Sequence, residues 1–296
     1  MQKYVFAGGT AVVTGAASGI GAALAHALAQ RGSHLVLLDR DGERLSGVAA
    51  AIRGGHPALR VDTHVVDLAD GDATTRVANA VLREHPRIRL LVNNAGVVLS
   101  GRFDQVTLEE FNWVIDINFR ATVRLTHILL PALKAEPASH LANVSSVFGL
   151  IAPAGQAAYA ASKFAIRGFT EALRHELADH GIGVTSVHPG GVRTRILESS
   201  RVGSGVSPEE EHLGRQAAAK VLTIDPAHSA DIIVNGIERR RERVLVGSSA
   251  KILDLLSRLL PASYGKILAA AVRAGTKSSS AVGKLAPTTP SGEHDR

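Results

Sequence analysis

Short apolar segments rich in β-branched residues recur along the first 246 residues, separated by longer stretches whose apolar positions have helical spacing. The short segments predict β-strands and the longer ones predict helices. Regular alternation of the two is typical of a parallel sheet that helices cover on both faces. The sequence therefore predicts an α/β fold, a doubly wound parallel sheet in three αβα layers, with a site at the carboxyl ends of the strands. The predicted strands are 10–14, 35–38, 61–66, 90–92, 141–145, 183–187 and 244–246.

No linker interrupts this alternation, which predicts a single domain over residues 1–247. Beyond it, residues 248–274 carry apolar side chains at helical spacing, and Pro261 divides them into two short amphipathic helices. Residues 275–296 are rich in Ser, Thr, Pro and Gly and predict a disordered tail. The apolar positions of the helical extension are Ile252, Leu255, Leu256, Leu259, Leu260, Ile267, Leu268 and Val272.

The extension has two interpretations. In the favoured one, its apolar side packs on the body of the domain or on a partner subunit. In the other, it is an interfacial helix in peripheral contact with a membrane, because such helices combine an apolar face with a cationic edge. The cations of that edge are Lys251, Arg258, Lys266 and Arg273.

The composition predicts a soluble cytoplasmic protein with neither a metal nor a nucleic-acid partner. The chain has no cysteine, which excludes disulfides and cysteine-bound zinc, and its 13 histidines form no H-E-x-x-H pair. The N-terminus lacks a signal-peptide pattern, and no apolar run approaches the roughly 20 residues that span a bilayer. The net charge of +6 is densest at residues 239–243, a run without interleaved aromatics that is typical of a solvated face. G-x-S-x-G and G-x4-G-K-[ST] patterns are also missing, which removes the usual hydrolase and P-loop interpretations.

A glycine-rich turn follows the first predicted strand. Gly15, Gly19 and Gly21 stand between that strand and an Ala- and Leu-rich helix that stops before Gly32. Backbone N–H groups and the positive end of a helix dipole meet at such a turn, and the missing Cβ atoms allow a pyrophosphate to approach. The turn predicts a dinucleotide site, although its G-x3-G-x-G spacing also occurs where a helix simply packs on a strand.

Asp39 ends the second predicted strand, eighteen residues after Gly21. A carboxylate at this position meets the ribose hydroxyls of adenosine and repels a 2′-phosphate. NAD is therefore favoured over NADP. The adjacent Arg40 keeps NADP as the alternative, because its guanidinium can hold that phosphate or stack on adenine.

Tyr159 and Lys163 lie four residues apart in an Ala-rich helical stretch, so a phenol and an ammonium share one helix face. Free tyrosine has a pKa of about 10, too high for a base near neutrality. At roughly 5 Å and an effective dielectric of about 20, the ammonium contributes about 3 kcal/mol and would lower the phenol pKa by about two. The pair is a candidate device for proton transfer.

Further motifs occur at fixed places along the chain. An Asn-Asn-Ala-Gly sequence occupies 93–96 after a strand, Asn118 lies in a helical stretch, and Ser146 precedes Tyr159 by thirteen residues. A Pro-Gly-Gly-Val-Arg-Thr sequence at 189–194 follows another strand. With the glycine turn and Lys163, this order resembles the short-chain dehydrogenase/reductase family over residues 10–246. The resemblance implies a Rossmann fold, a nicotinamide cofactor and hydride transfer between alcohols and ketones.

The resemblance also implies a role for each matching residue. Tyr159 would donate or accept the hydroxyl proton, and Ser146 would hydrogen-bond the substrate oxygen. Lys163 would bias Tyr159 and hold the nicotinamide ribose, and Asn118 would anchor a water that relays protons toward Lys163. Ser145 is expected to face the other side of the strand end. The implied cofactor-binding residues are Gly15, Ser18, Gly19, Ile20, Gly21, Asp39, Arg40, Asp67, Leu68, Asn93, Ala95, Gly96, Tyr159, Lys163, Pro189, Gly190, Val192 and Thr194.

Taken singly, several of these positions have a purely structural interpretation. Asp67 could cap a helix, Asn118 could be a helix-surface amide, and Pro189 with Gly190 could form a plain turn. Their joint order favours the functional interpretation. By the same resemblance, helices near 122–133 and 156–180 would build a homodimer or homotetramer.

The substrate region is predicted at about 191–225, where the family places a lid. A Gly- and Ser-rich segment is followed there by three glutamates at 209–211, a flexible acidic stretch that would close over substrate. Apolar walls nearby suggest a lipophilic or bulky small-molecule alcohol or ketone. The residues of those walls are Val97, Val98, Phe148, Leu150, Ile151 and Pro153.

The first functional hypothesis is thus an NAD-dependent alcohol dehydrogenase or ketone reductase. Two alternatives stand beside it. A reductase of carrier-bound 3-oxoacyl groups would need cations near the mouth, for which Arg193 and Arg195 are candidates. A dinucleotide-binding regulator without turnover is compatible with the same fold. The complete set of Ser146, Tyr159 and Lys163 disfavours the regulator, because a binding module has no need of a proton donor.

Overall fold

A computed structural model describes residues 3–269 of the chain. The predicted disordered tail lies outside this range, as do the last positions of the predicted extension, among them Val272 and Arg273.

Within these residues, a parallel seven-stranded sheet forms the centre of the molecule. The strands in chain order are β1 (Thr10–Thr14), β2 (His34–Asp39), β3 (Val61–Val65), β4 (Ile88–Asn93), β5 (Leu99–Ser100), β6 (His140–Val144), β7 (Gly183–Pro189), β8 (Arg201–Val202) and β9 (Arg243–Val246). The central order is β3-β2-β1-β4-β6-β7-β9, while β5 pairs with β8 in a separate two-stranded sheet. The strand order reverses between β1 and β4, which is the position where doubly wound sheets bind ligands. This topology confirms the predicted fold class.

Helices cover both faces of the sheet. The helices are α1 (Gly19–Gln30), α2 (Gly42–Gly55), α3 (Gly71–Glu84), α4 (Leu108–Ile115), α5 (Ala121–Ala135), α6 (Ala157–Glu176), α7 (Pro208–Val221), α8 (Pro226–Glu238) and α9 (Ser248–Leu259). One hydrophobic core joins the sheet to α1, α2 and α8, and a second joins it to α3, α4, α5 and α6. The three predicted layers are therefore present.

The strands form because successive side chains alternate between these two cores. In β1, Ala11 and Val13 belong to the first core and Val12 belongs to the second. All five residues of β1 are buried. A strand buried on both faces consists of nearly continuous apolar residues, which explains why the short apolar runs located the sheet.

Two segments differ from the sequence-based expectation. Asn118 lies in a π-helical turn, Asp116–Arg120, between α4 and α5 rather than in a regular helix. In place of a flexible acidic stretch, the region 191–225 contains a 3-10 turn at Arg195–Leu197, β8 and α7. Its glutamates lie in the first turn of α7, where they complement the helix dipole, and Glu210 forms a capping box with Ser207.

The extension begins with α9, which ends at Leu259 before Pro261. Further along, the Tyr264 hydroxyl accepts a hydrogen bond of 3.2 Å from the backbone N–H of Ala152. On α9, Ile252, Leu255 and Leu259 are exposed, whereas Leu256 is half-buried. The body of the domain therefore covers only part of the predicted apolar side, and packing on a partner subunit stays a prediction. No helix among residues 3–269 is both long enough and apolar enough to cross a membrane.

Candidate active site

Three polar side chains converge beyond the carboxyl end of β6. Ser146 follows that strand, and Tyr159 and Lys163 extend from the first turns of α6. All three are buried, and the side chains of Ser146 and Tyr159 are hydrogen-bonded to each other. The Lys163 Nζ atom lies 5.7 Å from the centre of the Tyr159 ring. The Phe148 ring meets the Tyr159 ring edge-on, with 5.9 Å between centroids.

The electrostatics of this cluster differ from the expectation. Burial raises the pKa of the Tyr159 phenol above 10.0, and the hydrogen bond with Ser146 opposes this only in part. The prediction that Lys163 lowers this pKa is wrong, because helical spacing showed the neighbouring cation but not the loss of solvent around the phenol. Burial also lowers the pKa of Lys163 to about 8, so its ammonium is mostly charged near neutrality.

Backbone groups fix Lys163 from several sides. Its ammonium donates to the carbonyl of Val144 at 3.0 Å, and its own carbonyl accepts from the Ser145 hydroxyl at 2.8 Å. The Ser145 hydroxyl is therefore engaged with the backbone of α6. A Cβ atom on Gly96 would lie 3.1 Å from Lys163 Nζ, so an added methyl group would require the ammonium to shift by a few tenths of an ångström.

Asn118 is a buried brace rather than a helix-surface amide. Its Oδ1 accepts from the N–H of Val97 at 2.8 Å, and its Nδ2 donates to the Val97 carbonyl at 3.0 Å and to the Ser162 hydroxyl at 2.9 Å. The side chain thus ties the segment after β4 to α6. The water relay implied by the resemblance stays a prediction.

His188, which the sequence analysis missed, lies directly behind Ser146. It is fully buried, and its Nδ1 lies 3.1 Å from the Ser146 carbonyl while its Nε2 lies 2.9 Å from the Ser186 hydroxyl. Burial lowers its pKa to about 4, so the ring is neutral at pH 7. Because a carbonyl can only accept, Nδ1 carries the hydrogen and Nε2 accepts from Ser186. The signal that could have indicated this residue is its place in the sequence, directly before Pro189.

The glycine turn has the shape that a pyrophosphate needs. Gly15 and Gly19 have positive φ angles of 67° and 54°. A Cβ atom on Gly21 would lie 1.9 Å from the Gly15 carbonyl oxygen. Ser18 precedes α1 without a side-chain capping hydrogen bond, and Ile20 packs on the first core. Backbone N–H groups at this helix start are therefore left for an anion, and the turn fits a dinucleotide.

Carboxylates lie at the ends of β2 and β3. Asp39 accepts from the N–H groups of Ala17 at 2.9 Å and Asp41 at 3.1 Å, which fixes its carboxylate beside the glycine turn. Arg40 is exposed. Asp67 accepts from the N–H of Ala69 at 2.9 Å, and the neighbouring Leu68 belongs to the second core. Asp70, rather than Asp67, caps α3.

The residues after β4 are held to β1 and β6. Asn93 donates from Nδ2 to Oδ1 of Asn143 at 2.8 Å and to the Thr126 hydroxyl at 3.0 Å. The Thr14 hydroxyl accepts from the N–H groups of Asn94 at 2.9 Å and Ala95 at 3.0 Å. Thr14 was missed because a hydroxyl at a strand end does not differ by type from other β-branched strand residues.

The segment after β7 closes the cluster on the far side. The Gly190 N–H donates to the Val246 carbonyl at 3.0 Å, and Val192 forms an isolated parallel β-bridge with Ile224. A Cβ atom on Gly19 would lie 2.9 Å from the Cβ atom of Thr194, so this segment touches the glycine turn. The predicted residues from Gly15 to Thr194 therefore lie around one edge of the sheet, with Pro189 ending β7. No group of three His, Asp or Glu side chains in residues 3–269 could hold a metal.

Known proteins share this arrangement of sequence and fold. The sequence model of the short chain dehydrogenase family matches residues 9–204. The SadH protein of Mycobacterium tuberculosis is 38% identical over 270 residues, which covers 90% of this chain and 96% of SadH. A short-chain dehydrogenase/reductase from Burkholderia phymatum in complex with NAD has a TM-score of 0.78 at 26% identity, covering 86% of this chain and 94% of its own. A short-chain dehydrogenase from Sphingobium yanoikuyae in complex with NADPH has a TM-score of 0.69 at 30% identity, covering 91% and 95%.

Proposed function

Because this chain belongs to the short-chain dehydrogenase/reductase family, and is therefore an NAD(P)-dependent oxidoreductase, we propose that it interconverts a lipophilic secondary alcohol and its ketone with NAD. The observation that carries this proposal is the buried cluster of Ser146, Tyr159 and Lys163 beyond β6. A phenol and a serine hydroxyl that hydrogen-bond each other can also share one substrate oxygen.

Each side chain of the cluster has a defined task in this proposal. Tyr159 donates its proton to the ketone oxygen, and its raised pKa keeps the phenol protonated at neutral pH for that step. Ser146 donates a second hydrogen bond to the same oxygen and stabilises the charge that develops there. When bound, the nicotinamide supplies the hydride that reaches the carbonyl carbon. Lys163 holds the nicotinamide ribose with its ammonium.

The remaining residues hold the two ends of the dinucleotide. The glycine turn takes the pyrophosphate, and the Asp39 carboxylate takes the adenosine ribose hydroxyls, which favours NAD because a 2′-phosphate would be repelled. One fixed carboxylate beside the turn supports this choice. The further proposed contacts are Arg40, Asp67 and Leu68 near adenine, Asn93, Ala95 and Gly96 along the cofactor, and Pro189, Gly190, Val192 and Thr194 near the carboxamide.

The surroundings of Tyr159 support a lipophilic substrate. The Phe148 ring packs against the reacting phenol, and Val97, Leu150 and Ile151 are buried apolar neighbours in the adjoining segments. In the predicted lid region, the Arg201 guanidinium lies 3.9 Å from the centre of the Trp113 ring. This cation is therefore already in contact with an aromatic face. An apolar mouth binds apolar surface through the hydrophobic effect.

The carrier-bound alternative receives less support. The Arg193 guanidinium lies 3.8 Å from the Asp225 carboxylate, and the Arg195 guanidinium pairs with the Glu198 carboxylate. Both arginines therefore already have carboxylate partners within the chain. A cationic patch for an acidic carrier would need positive charge that its own neighbours do not neutralise.

The test is a panel of secondary alcohols and ketones of increasing apolar size, assayed at 340 nm with NAD(H) and NADP(H). We expect turnover to favour the larger apolar compounds and NAD(H). The matched variant Tyr159→Phe should retain cofactor affinity while turnover falls by about a thousandfold, because it lacks the proton donor. Equal turnover by variant and wild type, or a clear preference for small polar ketones, would contradict the proposal.

A further inference from the structure

The extension carries an apolar and cationic surface that the domain does not cover. Ile252, Leu255 and Leu259 on α9 are 65%, 58% and 69% exposed. Exposed cations accompany them, and two more exposed apolar side chains follow the helix. We define the extension surface as Lys251, Ile252, Leu255, Arg258, Leu259, Leu260, Lys266 and Ile267. We propose that this surface binds the anionic face of a lipid membrane.

The orientation of α9 is fixed by its opposite side. Ala250 and Asp254 are buried where α9 meets β9, and Asp254 pairs with Arg243 of that strand and with Arg258. With about 100° between successive helical residues, Leu255, Leu259 and Ile252 then fall on one outward arc. Lys251 and Arg258 are seven residues apart and share one edge of that arc. An outward apolar arc with a cationic edge is the geometry of an interfacial helix.

The charges indicate what covers this surface. Between 248 and 269 the sequence contains one carboxylate, Asp254, and it is buried and paired. The exposed charges of the surface are thus all positive, and because Arg258 pairs with Asp254, the net positive charge comes from Lys251 and Lys266. Anionic headgroups complement such cations, and the acyl boundary accepts the leucines. A two-fold contact between copies would instead bring the cations of two such patches together, with no exposed carboxylate between 248 and 269 to offset them.

The surface also adjoins the proposed substrate mouth. The Tyr264 hydroxyl accepts from the N–H of Ala152 at 3.2 Å, which ties the extension to the segment that follows Ser146. A chain bound through α9 would therefore hold this segment near the bilayer. A lipophilic substrate could then reach the mouth from the membrane if the proposed function is right. Membrane binding itself depends on the extension surface and not on turnover.

The experiment is flotation of the full-length protein with vesicles, without cofactor or substrate. Vesicles of phosphatidylcholine with phosphatidylglycerol supply the anionic surface, and phosphatidylcholine alone is the neutral comparison. We expect co-flotation with the anionic vesicles that weakens as salt is added. The double variant Leu255→Gln/Leu259→Gln should bind at least about tenfold more weakly, because two leucines no longer leave water. Lys251→Gln/Lys266→Gln should lose about fivefold per lysine on anionic vesicles only.

The control is Leu108→Gln, since Leu108 is 75% exposed on α4 and lies outside the extension surface. It should float like the wild type, and thermal melts should show every variant folded because each altered side chain is exposed. Failure of the wild type to float, or equal flotation by the double leucine variant, would overturn the proposal. Light scattering provides the remaining check: a smaller particle for the leucine variant with unchanged flotation would identify the surface as a subunit contact instead.

Discussion

The two halves of the proposed site differ in what gives them their shape. In the nucleotide half, which comprises the glycine turn, Asp39 and the segment after β4, the shape comes from backbone with positive φ angles at Gly15 and Gly19. In the catalytic half, which comprises Ser146, Tyr159, Lys163 and His188, it comes from buried polar side chains. The nucleotide half therefore depends on glycines that lack Cβ atoms. The catalytic half depends on polar side chains that burial removes from water.

This difference determines which changes each half tolerates. Adding one carbon atom should damage the nucleotide half, where the chain approaches itself closely at Gly21. Removing a charge should relieve the catalytic half, where burial shifts the pKa values of Tyr159, Lys163 and His188. Polar groups in such surroundings are retained at a cost in stability, which is characteristic of functional sites.

The largest effect on cofactor binding is expected for Gly21→Ala. The new Cβ would lie 1.9 Å from the Gly15 carbonyl oxygen, a backbone atom, so the turn must shift. Calorimetric titration should show the Kd for the dinucleotide rising by about a hundredfold, since a displacement of about 1 Å at a binding site has effects of that size. The matched control is Gly47→Ala in α2, where nothing lies within 4 Å of the added carbon. It should leave the Kd unchanged and raise the free energy of unfolding by about 0.5 to 1 kcal/mol. Similar Kd values for both variants would remove close backbone approach as the basis of this half.

A second effect in the nucleotide half concerns charge. Asp39→Ser removes the carboxylate that accepts from Ala17 and Asp41. The ratio of kcat/KM with NAD to kcat/KM with NADP should fall by about thirtyfold, corresponding to about 2 kcal/mol of repulsion of a 2′-phosphate near the surface. Asp67→Ser is the control at the end of β3 and should move this ratio much less. An unchanged ratio in Asp39→Ser would show that Arg40 or another group sets the preference.

The sequence predicted the nucleotide half better than the catalytic half for a physical reason. Glycine spacing and an acidic strand end are properties of residue type, and the buried parallel strands are apolar runs that need no partner to be seen. The ends of two strands were missed because polar or turn residues there still pair with a neighbouring strand. These residues are Asn93 at the end of β4 and Pro189 at the end of β7. β5 and β8 were missed because two-residue strands depend on a distant partner, Leu99 with Arg201.

In the catalytic half, spacing found Ser146, Tyr159 and Lys163 but not their surroundings. The direction of the Tyr159 pKa was wrong because it depends on burial by residues distant in sequence. His188 was missed because its partner, the Ser146 carbonyl, is 42 positions away. Residue identity thus indicated the candidate residues, whereas their protonation behaviour required the packed structure.

Lys163→Met should raise stability while abolishing turnover. Burial lowers the pKa of Lys163 from 10.5 to about 8, which corresponds to about 3 kcal/mol against the charged folded state at pH 7. Loss of the hydrogen bond to the Val144 carbonyl costs about 1 kcal/mol. Urea unfolding should therefore give a free energy of unfolding about 2 kcal/mol higher than that of the wild type. Lys134→Met, at an exposed position of α5, is the matched control and should change stability little.

The pH dependence of the same variant sharpens this test. Between about 8 and 10.5 the folded wild type has released the Lys163 proton while the unfolded chain retains it. The unfolded state then binds more protons, so the wild-type free energy of unfolding should rise with pH through this window. Lys163→Met lacks the titrating group, so its advantage should shrink from pH 7 to pH 10. A variant that is less stable than wild type at pH 7 would contradict the desolvation account.

The smallest effect is expected for His188, a positioning residue, and it is measured against a second buried histidine. His188→Leu removes the donor to the Ser146 carbonyl, so kcat with the best ketone should fall by about tenfold, equivalent to about 1.4 kcal/mol, while the Kd for cofactor stays the same. His140 is equally buried, at the amino end of β6, and its Nε2 lies 2.8 Å from the Thr185 hydroxyl. Burial lowers the pKa of His188 to about 4 and that of His140 to about 3, so leucine removes no charge from either at pH 7. His140→Leu should therefore lower stability without lowering kcat, and an equal loss of kcat in both variants would reduce His188 to a packing residue.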